Sequence, residues 1–489
     1  MGTAVTIIYG AGEIPNAVKS VAFGLFTLYY YTTVLGLSGT LVGIASGIGL
    51  IWDALIDPYV GHASDSLRSR YGRRHPFMLV GALTMGGTFW LFFNPPAGLE
   101  PRGLFVWMLV MGLLVRTSSS IYAIPYFALG AELSDDYSER TTVTAVRGFL
   151  ALVGTLAAAS LSFVVFFPDT GSGGDPKLNP NGYPLMGAVF GAGMTLIGLA
   201  ATFGTLHRRG SRPQAAPPRG NLSFIHDLRR SLANRSFRAV FISCSLFFLA
   251  VVINGSLSIH YLTYYAGITA SAALSGFQAA FYLGAMLGVL VWLRAAKRLE
   301  KQRLCILSFA GVALLMVGAV YAVGEGQWLG TGNVTGMALG HALAGFFGAA
   351  LWFVPGSMIA DIADEDELET GRRREASFFG AFYFGQQLAA GASVLLTGGL
   401  LDWYAGLAPG RIEQSATTID RIAVLYGLLP AVLLVAAVAS LSRYTLTKSR
   451  LALVQAALPR RDGAPADPGD AGEHASTTDP MPDVTARTA

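Results

Sequence analysis

Residues 36–65 read GLSGTLVGIASGIGLIWDALIDPYVGHASD, and this stretch decides the class of the chain. A membrane-spanning helix needs about 20 predominantly apolar residues, and the stretch supplies them. Yet it carries Asp53 and Asp57, followed at once by Pro58. A carboxylate at mid-bilayer costs roughly 2.5–3.5 kcal/mol on insertion scales. The two acids stand one helical turn apart and share a face. Acids so placed face a bundle interior or a wet cavity and mark an ion or proton path. The plainer alternative is a buried acid satisfied by a neighbouring arginine.

The rest of the chain agrees. Of 489 residues, 53% are hydrophobic and only 13% charged, with a mean hydropathy of +0.50. Soluble domains carry about 25% charged residues. Apolar segments are predicted near 17–37, 39–62, 76–95, 104–131, 142–167, 184–206, 238–264, 270–293, 303–323, 333–360, 376–401 and 422–442. Pro58, Pro125 and Pro355 are expected to interrupt segments 2, 4 and 10. The even-numbered loops hold 21 lysines and arginines and the odd-numbered ones 4. The positive-inside rule then places both termini in the cytoplasm of a multi-pass inner-membrane protein. The net charge of +4 reflects that bias and gives no support to nucleic-acid binding. Cys244 and Cys305 fall in apolar segments, so no disulfide framework is expected. There is no basic n-region of a cleavable signal. P-loop, metal-ligand cluster and nucleophile–base spacing are all missing from the sequence, so neither an enzyme nor a metal site is expected.

A basic stretch at 207–237 separates residues 1–206 from 238–443. Residues 444–489 read as a tail, largely disordered, because their Pro-, Asp-, Gly- and Ala-rich end cannot bury a core. A weak repeat relates the halves. The loops RSRYGRR (68–74) and RAAKRLEKQR (294–303) correspond, and Pro125 followed by Glu132 and Asp135 matches Pro355 followed by Asp361 and Asp364. Paired six-helix halves around a midplane site are a transporter layout.

Several blocks carry a family resemblance. Gly61 and Asp65 ahead of RSRYGRRHPF resemble the loop 2–3 signature of the major facilitator superfamily. YYYTTVLGLS (29–38), DALIDPYVGHASDSLRSRYGRRHPF (53–77), IPYFALGAELSDDYSERT (124–141) and MIADIADEDELETGRRREASFFGAF (358–382) resemble, in family order, the glycoside–pentoside–hexuronide:cation symporters. The resemblance implies an all-α membrane protein of twelve helices in two pseudo-symmetric bundles, working by alternating access. It implies that Asp53 and Asp57 hold the coupling cation, with Ser120 adding a hydroxyl, and that no other cofactor is needed. Hard cations favour oxygen ligands, and two adjacent carboxylates can instead share a proton. Ile56 stands where the family has an asparagine, which predicts H+ over Na+.

The resemblance assigns substrate contacts to Arg147 and Trp352, and the pocket is expected to include Tyr122, Phe127, Tyr383 and Gln387. The family's helix-1 and helix-4 acids align with Ala17 and Ala123, and its helix-11 lysine with Gln387. By family weight the cargo is a sugar or glycoside. The altered pocket leaves a lipophilic or anionic substrate, such as a lysolipid, as the alternative, and a non-transporting receptor as a third. Arg147 has two readings: it binds a substrate anion, or it neutralises Asp53 or Asp57. Asp65, Arg73, Arg74, Glu132, Asp135, Asp361, Asp364 and Arg372 are expected to form cytoplasmic gate contacts. Lys19 is read as snorkelling to the surface, and Asn254 and His260 as interhelical hydrogen-bond formers. Arg116 lies too deep to snorkel and needs an acid. A monomer in the bilayer is expected, because one chain encloses its own site.

Overall fold

The computed structural model describes residues 3–133, 137–169, 174–207, 228–371 and 374–457. Asp135, Arg372, most of the basic linker and the end of the tail lie outside the described residues. In lipid every backbone N–H and C=O must be paired within its own segment, which selects helices for these apolar sequences.

The first half runs α1 (Thr3–Ala11, then Ile14–Leu25), α2 (Gly39–Ser66), α3 (His75–Phe92), α4 (Pro101–Glu132), α5 (Tyr137–Phe166) and α6 (Gly182–Gly204). The second runs α7 (Arg235–His260), α8 (Ser271–Ala296), α9 (Lys301–Tyr321), α10 (Val334–Gly348, then Val354–Thr370), α11 (Glu375–Leu400) and α12 (Ala416–Ala423, then Leu429–Leu441). Ten of these passes are long and apolar enough to cross a membrane by length and composition; the broken α1 and the 18-residue α3 complete the twelve.

Three local expectations are corrected. The first pass begins at Thr3, not near residue 17, and is broken at Gly12–Glu13. Pro58 and Pro125 lie inside uninterrupted helices, where neighbouring groups absorb the lost hydrogen bond. Pro355 alone coincides with a break: a 3-10 turn at Ala349–Trp352 precedes it, and it opens the second part of α10, where its missing N–H has no partner to lose. The tail also starts as structure: α13 (Lys448–Ala457) lies against α10 through Arg450–Glu365 at 2.7 Å and Gln455–Asp364 at 3.3 Å.

The repeat is visible in the backbone. Tyr30–Val34 and Tyr261–Tyr265 each form one π-helical turn at the end of a bundle's first helix. Each is followed by a glycine in the left-handed region, Gly36 at φ 77° and Gly267 at φ 67°. The helices that follow, α2 and α8, are the ones that cross to the other bundle, packing on α11 and α5 respectively.

Candidate functional site

Asp53 and Asp57 build two rungs between α2 and α4. Asp53 pairs with Arg116, and Asp57 accepts a 2.5 Å hydrogen bond from the Ser120 hydroxyl. Both pairs are 63 residues apart in sequence, as parallel helices of equal pitch require. Arg116 reaches Asp53 because Gly49, one turn earlier on α2, has no side chain. A Cβ at Gly49 would stand 2.6 Å from the Arg116 Nε. Trp52 adds a third tie, donating from its indole to the Thr117 hydroxyl at 2.8 Å. Lys19 of α1 lies within electrostatic reach of Asp53, Asp57, Arg116 and Glu13. Arg116 is thus the cation in contact with the pair, and Lys19 adds its charge at longer range. The arginine that Asp53 needed is Arg116, not Arg147.

Arg147 belongs to another cluster. It lies beside the Tyr9 hydroxyl and near Glu13, with its guanidinium 5.2 Å from the centre of the Phe127 ring. Glu13 sits at the α1 break, accepts from the Asn16 amide at 3.1 Å, and leaves its Oε2 buried without a partner among the described residues. The sequence reading passed over Glu13 because it looked for a helix-1 acid one turn later, at Ala17. Tyr122 does not face the gap between the bundles. It is fully buried, stacked on Tyr126, and its hydroxyl donates to the Gly12 carbonyl at 3.1 Å. Phe127, Trp352, Tyr383 and Gln387 are exposed. On α11, Gln387 stands one turn before Gly391, where α11 touches Leu50 of α2; Asp53 and Asp57 follow Leu50 on the same face of α2.

Of the expected gate residues, those that the structure describes form contacts inside single bundles; Asp135 and Arg372 lie outside the described residues. At the end of the first bundle that carries the α2–α3 loop, Arg73 binds Glu132 at 2.6 Å, and Arg74 binds Asp65 at 2.5 Å and Glu132 at 3.3 Å. In the second, Asp361 binds Lys301 at 2.5 Å, Arg374 pairs with Asp366, and Asp364 meets α13. In both halves an acid that follows the proline on α4 or α10 meets a base at, or just before, the start of α3 or α9.

Hydrogen bonds that join the bundles gather at the opposite end. Asp402, just past α11, caps the start of α2. It accepts from the Ser38 hydroxyl at 2.5 Å, the Gly39 N–H at 2.9 Å, and the Thr40 N–H and hydroxyl at 2.7 Å each. The mirror contact joins Asp169, just past α5, to the Ser271 N–H at the start of α8, at 3.2 Å. Between them, His260 of α7 holds its Nε2 3.2 Å and 3.3 Å from the hydroxyls of Thr32 and Thr33. Carboxylates at helix N-termini satisfy backbone donors that have no intrahelical partner. Sequence reasoning missed Asp402 and Asp169 because each acts on a helix of the other half. The only local signal was a Ser–Gly–Thr or Ala–Ser start awaiting a cap.

A seal at one end, bundles tied internally at the other among the described residues, and paired charges between them describe a carrier. Comparison with known proteins supports this. A model of the family described as MFS/sugar transport protein matches residues 8–448. The inner membrane symporter YicJ of Escherichia coli is 26% identical over 450 residues, covering 91% of this chain and 92% of that protein. The isoprimeverose transporter of Lactiplantibacillus pentosus is 23% identical, covering 83% and 81%. The sodium-dependent lysophosphatidylcholine symporter 1 of Gallus gallus is 23% identical, covering 84% and 81%. Among solved structures, the nucleoside transporter NupG superposes with a TM-score of 0.64 at 14% identity, covering 90% of this chain and all of that one. The chain belongs to the MFS/sugar transport family of the major facilitator superfamily.

Proposed function

We propose that this protein is a proton-coupled symporter of a small organic solute, a sugar or glycoside, working by alternating access. The observation that carries the reading is the charge balance on α2. Asp53 is neutralised by Arg116, and Asp57 is held by a hydroxyl with the Lys19 ammonium in reach. A sodium ion at Asp53 would have to displace Arg116, whereas a proton needs only one free carboxylate oxygen on Asp57. Asp57 is thus the proposed proton carrier, Asp53–Arg116 its fixed neighbour, and Arg147, Phe127, Trp352, Tyr383 and Gln387 the proposed solute contacts. Glu13 joins them, since its free oxygen can accept from a solute hydroxyl. The name of the Lactiplantibacillus relative supports a sugar as cargo. A lipophilic cargo is the second reading, favoured by the exposed aromatic side chains and by the lysophosphatidylcholine relative.

The basic loops favour cytoplasmic termini in a cell membrane. On that orientation the end sealed by Asp402 and Asp169 faces outward, so the proposed carrier, a monomer, is inward-facing here. The experiment uses purified protein in liposomes holding a pH dye. Glycosides and lysolipids are added in turn to wild type and Asp57→Asn. Solute-driven acidification that is lost in Asp57→Asn supports the proposal. Uptake that needs sodium at constant pH overturns the proton assignment, and acidification by lysolipid alone moves the cargo to the second reading.

A further inference from the structure

Inside the second bundle, enclosed by α7, α8, α9, α10 and α12, lies a cavity of about 650 Å³. It is not part of the Asp53–Asp57 ladder; Leu25 is the one residue lining it from the first bundle. Pockets of this size hold small molecules, typically with an apolar wall and a few convergent polar groups. The wall here is aliphatic and aromatic, and no Asp, Glu, Lys or Arg is among the residues lining it. Gln278 of α8 supplies a polar group. It is 9% exposed, and its amide has no hydrogen-bond partner among the described residues. The Tyr282 hydroxyl, one turn on, is likewise unpartnered among the described residues and lines the same space. Polar groups that open onto an apolar cavity without a protein partner are paired there by water or ligand.

Two more observations say what fits. Gly255, Gly318 and Gly340, on three different helices, line the cavity, and a Cβ at any of them would meet nothing within 4 Å. Glycines in membrane helices commonly permit close helix approach; these three bring no helix closer and only enlarge the space. One rim consists of Leu314 of α9 and Leu339 of α10, which are 72% and 61% exposed. On helices that cross a membrane, exposed leucines of this kind meet hydrocarbon.

We propose that this cavity is a ligand site, reached from the bilayer between α9 and α10, for a neutral amphiphile. Its hydroxyl or carbonyl head binds Gln278 and Tyr282, and its hydrocarbon body fills the apolar wall. An ionised head is disfavoured, because the site offers no counter-charge and burial of an unpaired ion is expensive. The site and its occupant do not depend on the coupling ion or the transported solute.

The test reconstitutes the full chain in vesicles of phosphatidylethanolamine and phosphatidylglycerol. The probe is a long-chain alcohol with a photoactivatable diazirine in its alkyl chain, and labelled peptides are mapped by mass spectrometry. Saturable labelling of α8–α10 is expected. An unlabelled alcohol of equal length should compete, and lysophosphatidylcholine should not. Gly340→Phe, which fills the space, should weaken labelling at least about tenfold without lowering the thermal midpoint, and Gly318→Leu repeats the test from α9. Asp57→Asn should label as wild type. Labelling that does not saturate, that survives both filling substitutions, that lysophosphatidylcholine competes away equally, or that falls in Asp57→Asn overturns the proposal.

Discussion

Asp402→Ala removes the acceptor that closes α2 against α11. In the structure that carboxylate takes four hydrogen bonds, two from backbone N–H groups and two from hydroxyls. Losing an N-cap costs about 0.5–2 kcal/mol, and a carboxylate on a helix N-terminus adds about 0.3–1 kcal/mol. Water replaces part of both when the seal opens, so a net loss of about 2 kcal/mol is a reasonable figure. The open-to-closed ratio at this end should then rise about 30-fold. The assay is pulsed electron spin resonance on a pair of spin labels at Asn94→Cys and Glu325→Cys, in the loops after α3 and α9 at the sealed end; the native Cys244 and Cys305 are buried. Asp402→Ala should populate a longer distance strongly. Asp402→Asn keeps an acceptor without the charge and should lie between the two. If the distance distribution of Asp402→Ala matches wild type within threefold, the cap does not hold the bundles together and the reasoning is wrong.

Gly49→Leu should block the path of Arg116 to Asp53 and abolish solute-driven proton uptake while the protein still elutes as a monodisperse peak; full activity would mean that the ladder is dispensable. Arg116→Ala leaves a partly buried carboxylate without its counter-ion and should cost about 3–5 kcal/mol, read as a lower thermal midpoint, and Asp53→Asn on that background should recover part of it. Arg450→Ala should change stability by less than about 1 kcal/mol, because the Arg450 side chain is 52% exposed. In the loop before α6, burial pulls the Lys177 ammonium below its ordinary value of 10.5, with Asp175 opposing. The unfolded chain therefore binds this proton more readily. Stability gained from this group should rise with pH between its lowered value and 10.5, be lost as pH falls back through that window, and vanish in Lys177→Met. Parallel stability–pH curves for the two proteins would contradict it.

The sequence determined the class, because it is set by solvent. Apolar runs of membrane length and a lopsided distribution of Lys and Arg between loops are properties of composition, and they specify helices in a bilayer whatever their neighbours. The same local logic marked Asp53 and Asp57, whose cost in an apolar helix demands a reason, and flagged Arg116 as needing an acid. The repeat of proline-then-acid also survived, as Glu132 on Arg73 and Arg74 and Asp361 on Lys301.

Tertiary structure decided everything that depends on which helix faces which. Arg116 and Arg147 are both intramembrane arginines near acids, and nothing local separates them; the missing side chain of Gly49 gives Asp53 to one, and the α1 break gives Glu13 to the other. Tyr122 and Phe127 looked alike as pocket aromatics, but five residues along a helix turn the side chain by more than a quarter circle, burying one and exposing the other. Pro58 and Pro125 were legible as residues, but whether a proline breaks its helix depends on which groups stand ready to satisfy the freed carbonyl. The caps of Asp402 and Asp169 were the least legible of all. Each joins a short polar turn to an acid in the other half of the chain, and only the crossing of α2 onto α11 and of α8 onto α5 brings donor and acceptor together.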